Sequence, residues 1–152
     1  MSGPRPILAT SRIPRRRRRF VSGVALGLWV SGVVWLLSHE AFAPAGEFGP
    51  SYRSADAWIL MLHGLLGFVA VWCLGLLWGT HVGAGWAQSR RRWSGGSLLC
   101  VAGILVLSGW GLYYCGDEDL RGRIATLHWV LGLIAPAVFL PHRFGAKRRA
   151  VR

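Results

Sequence analysis

The sequence predicts an all-α integral membrane protein, a four-helix bundle with both termini in the cytoplasm. Three observations support this fold: a composition that is 53% hydrophobic and 16% charged, four uncharged apolar runs, and a partition of charge between the segments that flank them. Runs approaching ~20 residues match the hydrocarbon thickness of a bilayer. Each run is predicted to be a helix, because within a bilayer the backbone polar groups must be satisfied inside their own segment.

The four runs predict spans at about residues 20–37, 57–79, 96–115 and 124–141. Together they make one transmembrane domain, residues 20–142. The preceding residues 1–19 are polar and arginine-rich, which predicts a disordered cytoplasmic tail. Residues 143–152 form a second basic tail. The fourth run is only just long enough to cross, and Pro136 and Pro141 are positioned to kink it.

The charged residues predict the orientation of these spans. Seven arginines before the first run, three at positions 90–92 and five basic residues after the fourth place fifteen of the eighteen Lys and Arg on one side. The six acidic residues all fall in the first and third loops, on the other side. Since loops rich in Lys and Arg stay in the cytoplasm, both termini are expected there.

The first run has a competing interpretation. An arginine-rich start, an apolar stretch and Ala41-Phe42-Ala43 resemble a signal peptide with its cleavage site, and Arg17 to Phe20 resemble a twin-arginine signal. The run is longer than a usual signal core, and Pro44 would follow the cut. We therefore expect the run to be retained as a span.

Composition excludes two other classes of protein. The net charge of +12 lies in segments flanking the apolar runs, so no basic folded domain is present to bind nucleic acid. The three cysteines form no Cys-x-x-Cys-His motif, which excludes covalent haem attachment. Cys73 and Cys100 lie within apolar runs and are interpreted as packing residues.

A repeated motif inside two spans is the main indication of function. Residues 62–67 and 127–132 both read Leu-His-x-x-Leu-Gly. A histidine in a span is expensive and is by default a functional hypothesis. The glycines Gly67 and Gly132 follow His63 and His128 by four residues, so they clear space on the same helix face. With the predicted topology, the two histidines lie at similar depth.

His81 and His142 form a second level at the cytoplasmic ends of the same two spans. From His63 to His81 is 18 residues, about 27 Å, and from His128 to His142 is 14 residues, about 21 Å. Each separation is close to a whole number of turns, so the histidines of each span share a face. Helix tilt must absorb the difference in length.

Two facing imidazoles predict non-covalent haem b, one or two groups per chain, because a bis-imidazole site takes one ligand from each of two helices. The candidate iron ligands are His63, His128, His81 and His142, with Gly67 and Gly132 giving the porphyrin room. Haem propionates need cations at the membrane edge. Arg121 and Arg123 are the candidates outside; Arg53, Arg90 to Arg92 and Arg143 are also available.

Alternatives remain open for these histidines. A histidine in a span also hydrogen-bonds across bundles without binding metal. Zinc is a second alternative, although its usual carboxylate or thiolate co-ligands are missing at matching depth. His39, beside Glu40, is interpreted as an interfacial residue that could alternatively serve a quinol site. Asp117 to Asp119 form either an exposed loop or a docking site for a basic redox partner.

At roughly residues 20–145 the chain resembles the bacterial four-helix membrane cytochromes b. The residues that carry the likeness are His63 and His128 in their motifs and Ser108-Gly109 to Leu112-Tyr113-Tyr114 before the fourth span. That superfamily includes the cytochrome b subunits of formate dehydrogenase and nickel–iron hydrogenase. The resemblance implies a multi-pass location in the bacterial cytoplasmic membrane, contact with membrane lipid and electron exchange with quinone or quinol.

It also implies a partner redox protein or c-type cytochrome in a respiratory chain. We therefore expect an electron-transfer subunit of an oxidoreductase complex rather than a stand-alone enzyme. The alternative function is a haem-free membrane scaffold or transporter-like subunit, whose histidines pack or relay protons.

The predicted orientation has a direct test. Green fluorescent protein fused after Arg152 is expected to fluoresce, whereas alkaline phosphatase at the same position stays inactive because it matures only outside the cytoplasm. The same reporters inserted after Gly116 should give the reverse result. Phosphatase activity at Arg152 would contradict the predicted topology.

Overall fold

The computed structural model of the chain describes residues 13–42, 45–46, 49–50, 54–88 and 92–145. Within these ranges the elements, in chain order, are α1 (Arg15–Phe42), β1 (Ala45–Gly46), β2 (Gly49–Pro50), α2 (Ser54–Leu77), a π-helical turn (Trp78–Val82), α3 (Gly83–Ala87), α4 (Arg92–Tyr114) and α5 (Glu118–Phe144). The two short strands pair antiparallel, Ala45 opposite Pro50. The turn joins α2 to α3 as one continuous helical rod.

Four helical segments are long and apolar enough to cross a membrane: 15–39, 54–87, 92–114 and 118–144. The prediction of an all-α bundle of four spanning helices is therefore confirmed, and the chain is a multi-pass membrane protein. The helices extend beyond the apolar runs, because a helix can continue into polar residues outside the hydrocarbon layer. Through Pro136 and Pro141, α5 continues unbroken to Phe144.

The arginine run differs from its expected place in a disordered tail. α1 already begins at Arg15, so Arg15 to Arg19 form its first turns. Arginine is a good helix former, and its long aliphatic stem lets the charge reach the membrane surface while the backbone stays helical. The rest of the expected N-terminal tail, residues 1–12, and residues 146–152 of the C-terminal tail lie outside the described residues.

The helices pack as two hairpins, α1 against α2 and α4 against α5. Small residues allow the close approach: a methyl group on Gly27 would lie 3.3 Å from Leu66, and one on Gly111 would lie 3.5 Å from Ile124. Contact between the hairpins is much sparser and is concentrated between α1 and α5. Each hairpin is thus a packed unit, and the two units meet lightly.

Few side chains are buried in this arrangement. Among the described residues the buried ones are Val24, Cys73, Ser31, Asp56 and Ser108, and three of these five are polar. A bundle filled by its own side chains would bury many apolar residues. Few side chains are therefore fully enclosed among the described residues, and the buried polar groups lie where helices of one hairpin meet.

Charge divides the bundle into two ends. We call the end with Arg15 to Arg19, Arg92 and Arg143 the basic end, and the end with Asp56 and Asp117 to Asp119 the acidic end. At the acidic end Ser38 donates a hydrogen bond to the Asp56 carboxylate, joining α1 to α2. Asp117 caps α5 by accepting a 2.7 Å hydrogen bond from the backbone N–H of Leu120.

Candidate functional site

Two of the predicted histidines meet between the hairpins. His63 on α2 and His128 on α5 have ring centres 6.2 Å apart, with ring planes at 82°. α2 and α5 contact each other far less than either contacts its hairpin partner. The two helices therefore approach one another through these imidazoles, which we call the acidic-end pair.

A serine on the neighbouring helix fixes each imidazole. The Ser31 hydroxyl lies 3.0 Å from Nδ1 of His63 and donates its proton to the carbonyl of Leu28, also at 3.0 Å. A hydroxyl has only one proton to donate, so Ser31 accepts from the imidazole. This arrangement suits the tautomer of His63 that carries its proton on Nδ1.

The second hairpin repeats this arrangement. The Ser108 hydroxyl lies 2.8 Å from Nδ1 of His128 and donates to the carbonyl of Ile104 at 2.7 Å. Ser108 therefore also accepts from Nδ1–H, and His128 takes the same tautomer as His63. In both rings Nε2 carries a lone pair and is turned away from the serine, the state that a metal-ligating histidine needs.

The second pair of histidines also meets. His81 and His142 have ring centres 6.1 Å apart and ring planes at 80°, and we call them the basic-end pair. The Ser94 hydroxyl lies 3.2 Å from Nδ1 of His142. Ser94 precedes Ser108 by 14 residues, the spacing that separates His128 from His142. Both serine–histidine contacts of this hairpin are therefore compatible with a single antiparallel register of α4 against α5.

The π-helical turn is part of the reason that His81 reaches His142 despite its longer spacing. His81 lies inside this turn, Trp78–Val82. A π turn holds more residues than an α turn, so each residue advances less along and around the axis. The turn therefore moves His81 back towards the level and the face of His142.

Glycines make room for the imidazoles on the serine-bearing helices. A methyl group on Gly32 would lie 3.0 Å from Cε1 of His63, one on Gly109 would lie 3.4 Å from Cε1 of His128, and one on Gly95 would lie 3.5 Å from Cε1 of His142. Each of these glycines follows its serine directly. At each of these three positions a Ser-Gly pair thus lies opposite an imidazole. The serine orients the ring, and the glycine leaves room for it.

The glycines predicted to make room for a bound group, Gly67 and Gly132, differ from these three because no neighbouring side chain packs against them. A methyl group on Gly67 or Gly132 would meet nothing within 4 Å apart from its own helix backbone. These positions lie one turn from His63 and His128, on the same helix faces. The structure therefore leaves open space beside both imidazoles of the acidic-end pair.

The two predicted propionate partners are placed differently from one another. Arg121 precedes His128 by seven residues and so lies on its face, about 10 Å along the axis. Arg123 lines an open cleft of about 660 Å³ together with Glu118, Thr126 and Leu127, on the opposite side of α5. Both side chains are exposed. Of the two, the structure brings only Arg121 towards the acidic-end pair.

The remaining candidate ligands lie elsewhere. His39 stacks on Trp35, with ring centres 4.8 Å apart and planes at 11°. Cys73 is buried, whereas Cys100 is exposed. Within the part of the chain that the structure describes, no group of three or more His, Cys, Asp and Glu side chains could hold a metal ion. The histidines offer two ligands per site, which suits a prosthetic group that brings its own equatorial donors.

Sequence reasoning missed the serines. Ser108-Gly109 entered the sequence analysis only as part of the family resemblance, and neither Ser31-Gly32 nor Ser94-Gly95 was given a role there. The equal spacing of Ser94 to Ser108 and His128 to His142 was the available signal, since antiparallel helices in register would bring both pairs together.

Comparison with known proteins adds no assignment, as no protein-family model, curated protein or solved structure matches the chain.

Replacing Ser108 tests the orienting role of the hydroxyl. Ser108→Ala removes the hydroxyl that contacts Nδ1 of His128, and binding of the haem that the sequence predicts should weaken by about 10- to 100-fold. Ser97→Ala is the matched control, because this exposed serine on the same helix donates only to the Trp93 carbonyl. Titration of haem into the apoprotein, followed by absorbance, measures both. Equal affinity of the two variants would remove the hydroxyl from the site.

Replacing Gly32 tests the room that glycine leaves. The methyl group of Gly32→Ala would lie 3.0 Å from Cε1 of His63, so the ring must shift, and haem content should fall. Gly23→Ala lies on the same helix in open space and gains the same helix propensity, about 1 kcal/mol. The haem-to-protein ratio should drop for Gly32→Ala alone. A normal ratio in both variants would show that the site tolerates a wider approach.

Proposed function

We propose that this chain is a membrane electron-transfer protein that binds b-type haem without a covalent link at its two histidine pairs. In this proposal it exchanges electrons with the quinone pool and with a partner redox protein, as a subunit of an oxidoreductase complex in a bacterial cytoplasmic membrane. The observation that carries the proposal is the geometry of the pairs.

The separation of the rings supports iron ligation. A metal–imidazole bond is about 2.0–2.1 Å long, and the ring centre lies about 1.1 Å beyond the nitrogen. Two imidazoles on opposite sides of one metal ion therefore have centres about 6.2–6.4 Å apart. The observed separations are 6.2 Å for the acidic-end pair and 6.1 Å for the basic-end pair. Both separations are thus close to the length expected for two imidazoles on one metal ion.

The hydrogen bonds separate this interpretation from simple stacking. Perpendicular aromatic rings at 4.5–7 Å also occur as edge-to-face contacts. In the acidic-end pair, however, both Nδ1 protons are given to serine, so neither Nε2 has a proton for the other ring. Two lone-pair nitrogens within an apolar bundle cost free energy unless a hydrogen-bond donor or a metal ion satisfies them. This favours a ligated metal over the haem-free scaffold or transporter-like alternative.

The chain's own residues have defined roles in this proposal. The four histidines hold the group, Ser31 and Ser108 keep the acidic-end imidazoles in the ligating tautomer, and the open space beside Gly67 and Gly132 admits a flat macrocycle. Haem iron with both axial positions filled supplies a one-electron couple and has no open position for substrate. Catalysis on a substrate would then belong to a partner subunit.

The two levels suit transfer across the membrane. On α5, His128 and His142 are 14 residues apart, about 21 Å, within a hydrocarbon layer of about 30 Å. Electrons held at one pair therefore need only one further transfer to approach the other face. At the acidic end, the exposed carboxylates of Glu118 and Asp119 offer a docking surface for a basic redox partner.

A reduced-minus-oxidised optical spectrum of the purified chain in detergent, with pyridine haemochrome quantification, tests the proposal. A b-type α-band with about two haems per chain is expected, since each site takes two axial imidazoles. One haem would restrict the proposal to a single pair. No haem, after expression with adequate haem supply, would overturn it in favour of the scaffold or transporter-like function.

Single histidine variants assign the sites. His128→Ala should abolish the acidic-end haem and leave the basic-end one, and His142→Ala should do the reverse, halving the haem content in each case. His39→Ala is the control, because His39 stacks on Trp35 away from both pairs. A purified His128→Ala protein with full haem content and an unchanged spectrum would contradict the assignment.

A further inference from the structure

A cleft opens between α1 and α2 at the basic end, apart from the histidine pairs. Its volume is about 340 Å³, and two of its lining residues, Arg16 and Arg17, are charged. The other lining side chains are apolar: Phe20, Val21, Trp72, Cys73, Leu76 and Leu77. The cleft is therefore amphipathic, with cations from the first turn of α1 and a hydrophobic wall deeper in the span.

Aromatic packing shapes the apolar wall. Phe20 and Trp72 meet edge to face, with ring centres 6.4 Å apart and planes at 88°. Their side chains stay 50% and 59% exposed, whereas Cys73 is only 4% exposed. In a spanning segment, exposed aromatic faces lie against lipid. The cleft thus adjoins the hydrocarbon of the bilayer.

Among the described residues, no carboxylate side chain lies at the basic end with these arginines: Asp56 and Asp117 to Asp119 are at the acidic end. In the sequence, Glu40 and Glu47 fall between the first two spans, and the segments that flank the basic ends of the spans carry fifteen Lys and Arg and neither Asp nor Glu. An anion from outside the chain is therefore the available partner for Arg16 and Arg17.

The cleft occupies the place that a serine and a histidine hold in the second hairpin. Fourteen residues before Ser108 is Ser94, and fourteen after His128 is His142. The same steps from Ser31 and His63 lead to Arg17 and Leu77, which both line the cleft. At the register positions where the second hairpin has Ser94 and His142, the first hairpin therefore has a cation and an apolar residue, and its histidine, His81, lies four residues beyond Leu77.

We propose that this cleft binds an anionic glycerophospholipid of the bilayer, with the phosphate on Arg16 and Arg17 and an acyl chain along Phe20 and Trp72. Guanidinium groups bind phosphate oxygens in a bidentate manner, and the positive end of the α1 dipole adds to the attraction. Basic pockets between spanning helices at the cytoplasmic side recognise such headgroups. A neutral quinone would use the apolar wall but would leave both charges uncompensated.

Native mass spectrometry of the full chain, titrated with phosphatidylglycerol or phosphatidylcholine, tests the site. One tightly held phosphatidylglycerol is expected, and phosphatidylcholine should bind more weakly. Arg16→Gln/Arg17→Gln should weaken phosphatidylglycerol binding by about tenfold or more, because each charge-assisted bond to phosphate is lost. Arg18→Gln/Arg19→Gln is the matched control, with the same charge change on residues outside the cleft lining. It should stay within about twofold of wild type.

A second variant keeps the test independent of charge. Leu76→Trp fills the cleft while leaving all arginines, and it should also displace the lipid. An unchanged circular dichroism spectrum would show that the fold is intact. Equal weakening by the two arginine variants would mean diffuse attraction and overturn the site. Equal binding of phosphatidylglycerol and phosphatidylcholine would also overturn it. So would a quinone that displaces phosphatidylglycerol to the same extent from wild type and from Arg16→Gln/Arg17→Gln.

Discussion

The hydrogen bonds between serine hydroxyls and imidazoles within each hairpin are the constraint on which the rest of the bundle depends. Ser31 and Ser108 lie on one helix of their hairpins, and His63 and His128 lie on the other. The orientation of each ring is therefore set by the packing of its own hairpin before the hairpins meet. A slip of one residue would turn a helix by about 100° and remove the contact. Lipid gives helices no hydrophobic reason to associate, so such polar contacts and the close approach at glycine determine the register.

Much of the fold could be predicted from the sequence, because a bilayer leaves few alternatives. Backbone hydrogen bonding forces each apolar run to be helical, and the 1.5 Å rise per residue places His63 and His128 at one depth once the directions of the spans are known. Charged residues at the ends of the apolar runs were less informative about where the helices begin and end. Arg15 to Arg19 were expected in a tail and instead begin α1, since a polar helical turn at the membrane surface is not penalised.

The details of the site could not be predicted in the same way. Contact between Ser31 and His63 depends on the register of α1 against α2, and no local pattern in the sequence states that register. The π-helical turn carries no strong compositional signal either. Arg121 and Arg123 were predicted together because both are cations at the outer membrane edge, yet two residues turn a helix by about 200°, so their side chains lie on different sides of α5. A shared depth in the membrane therefore does not give two side chains the same angular position.

Segregation of charge serves more than orientation in the membrane. The same arginines that favour a cytoplasmic terminus give the described part of the basic end an excess of positive charge, which would attract phosphate groups. At the acidic end, Asp117 caps α5 and Asp56 accepts from Ser38, so part of the acidic charge is engaged in holding helix ends. The two ends therefore differ in what they can offer a partner.

The π-helical turn has a consequence for how the bundle could have arisen. A π turn is an α-helix that carries one surplus residue, and surplus residues enter a helix by insertion. The corresponding Ser31–His63 and Ser108–His128 contacts are what a duplicated ancestral hairpin would leave behind. In the first hairpin His81 lies four residues beyond Leu77, the position that corresponds to His142, so the single surplus residue of the π turn would account for one of those four. The two halves of the bundle would then differ in length as well as in side chains.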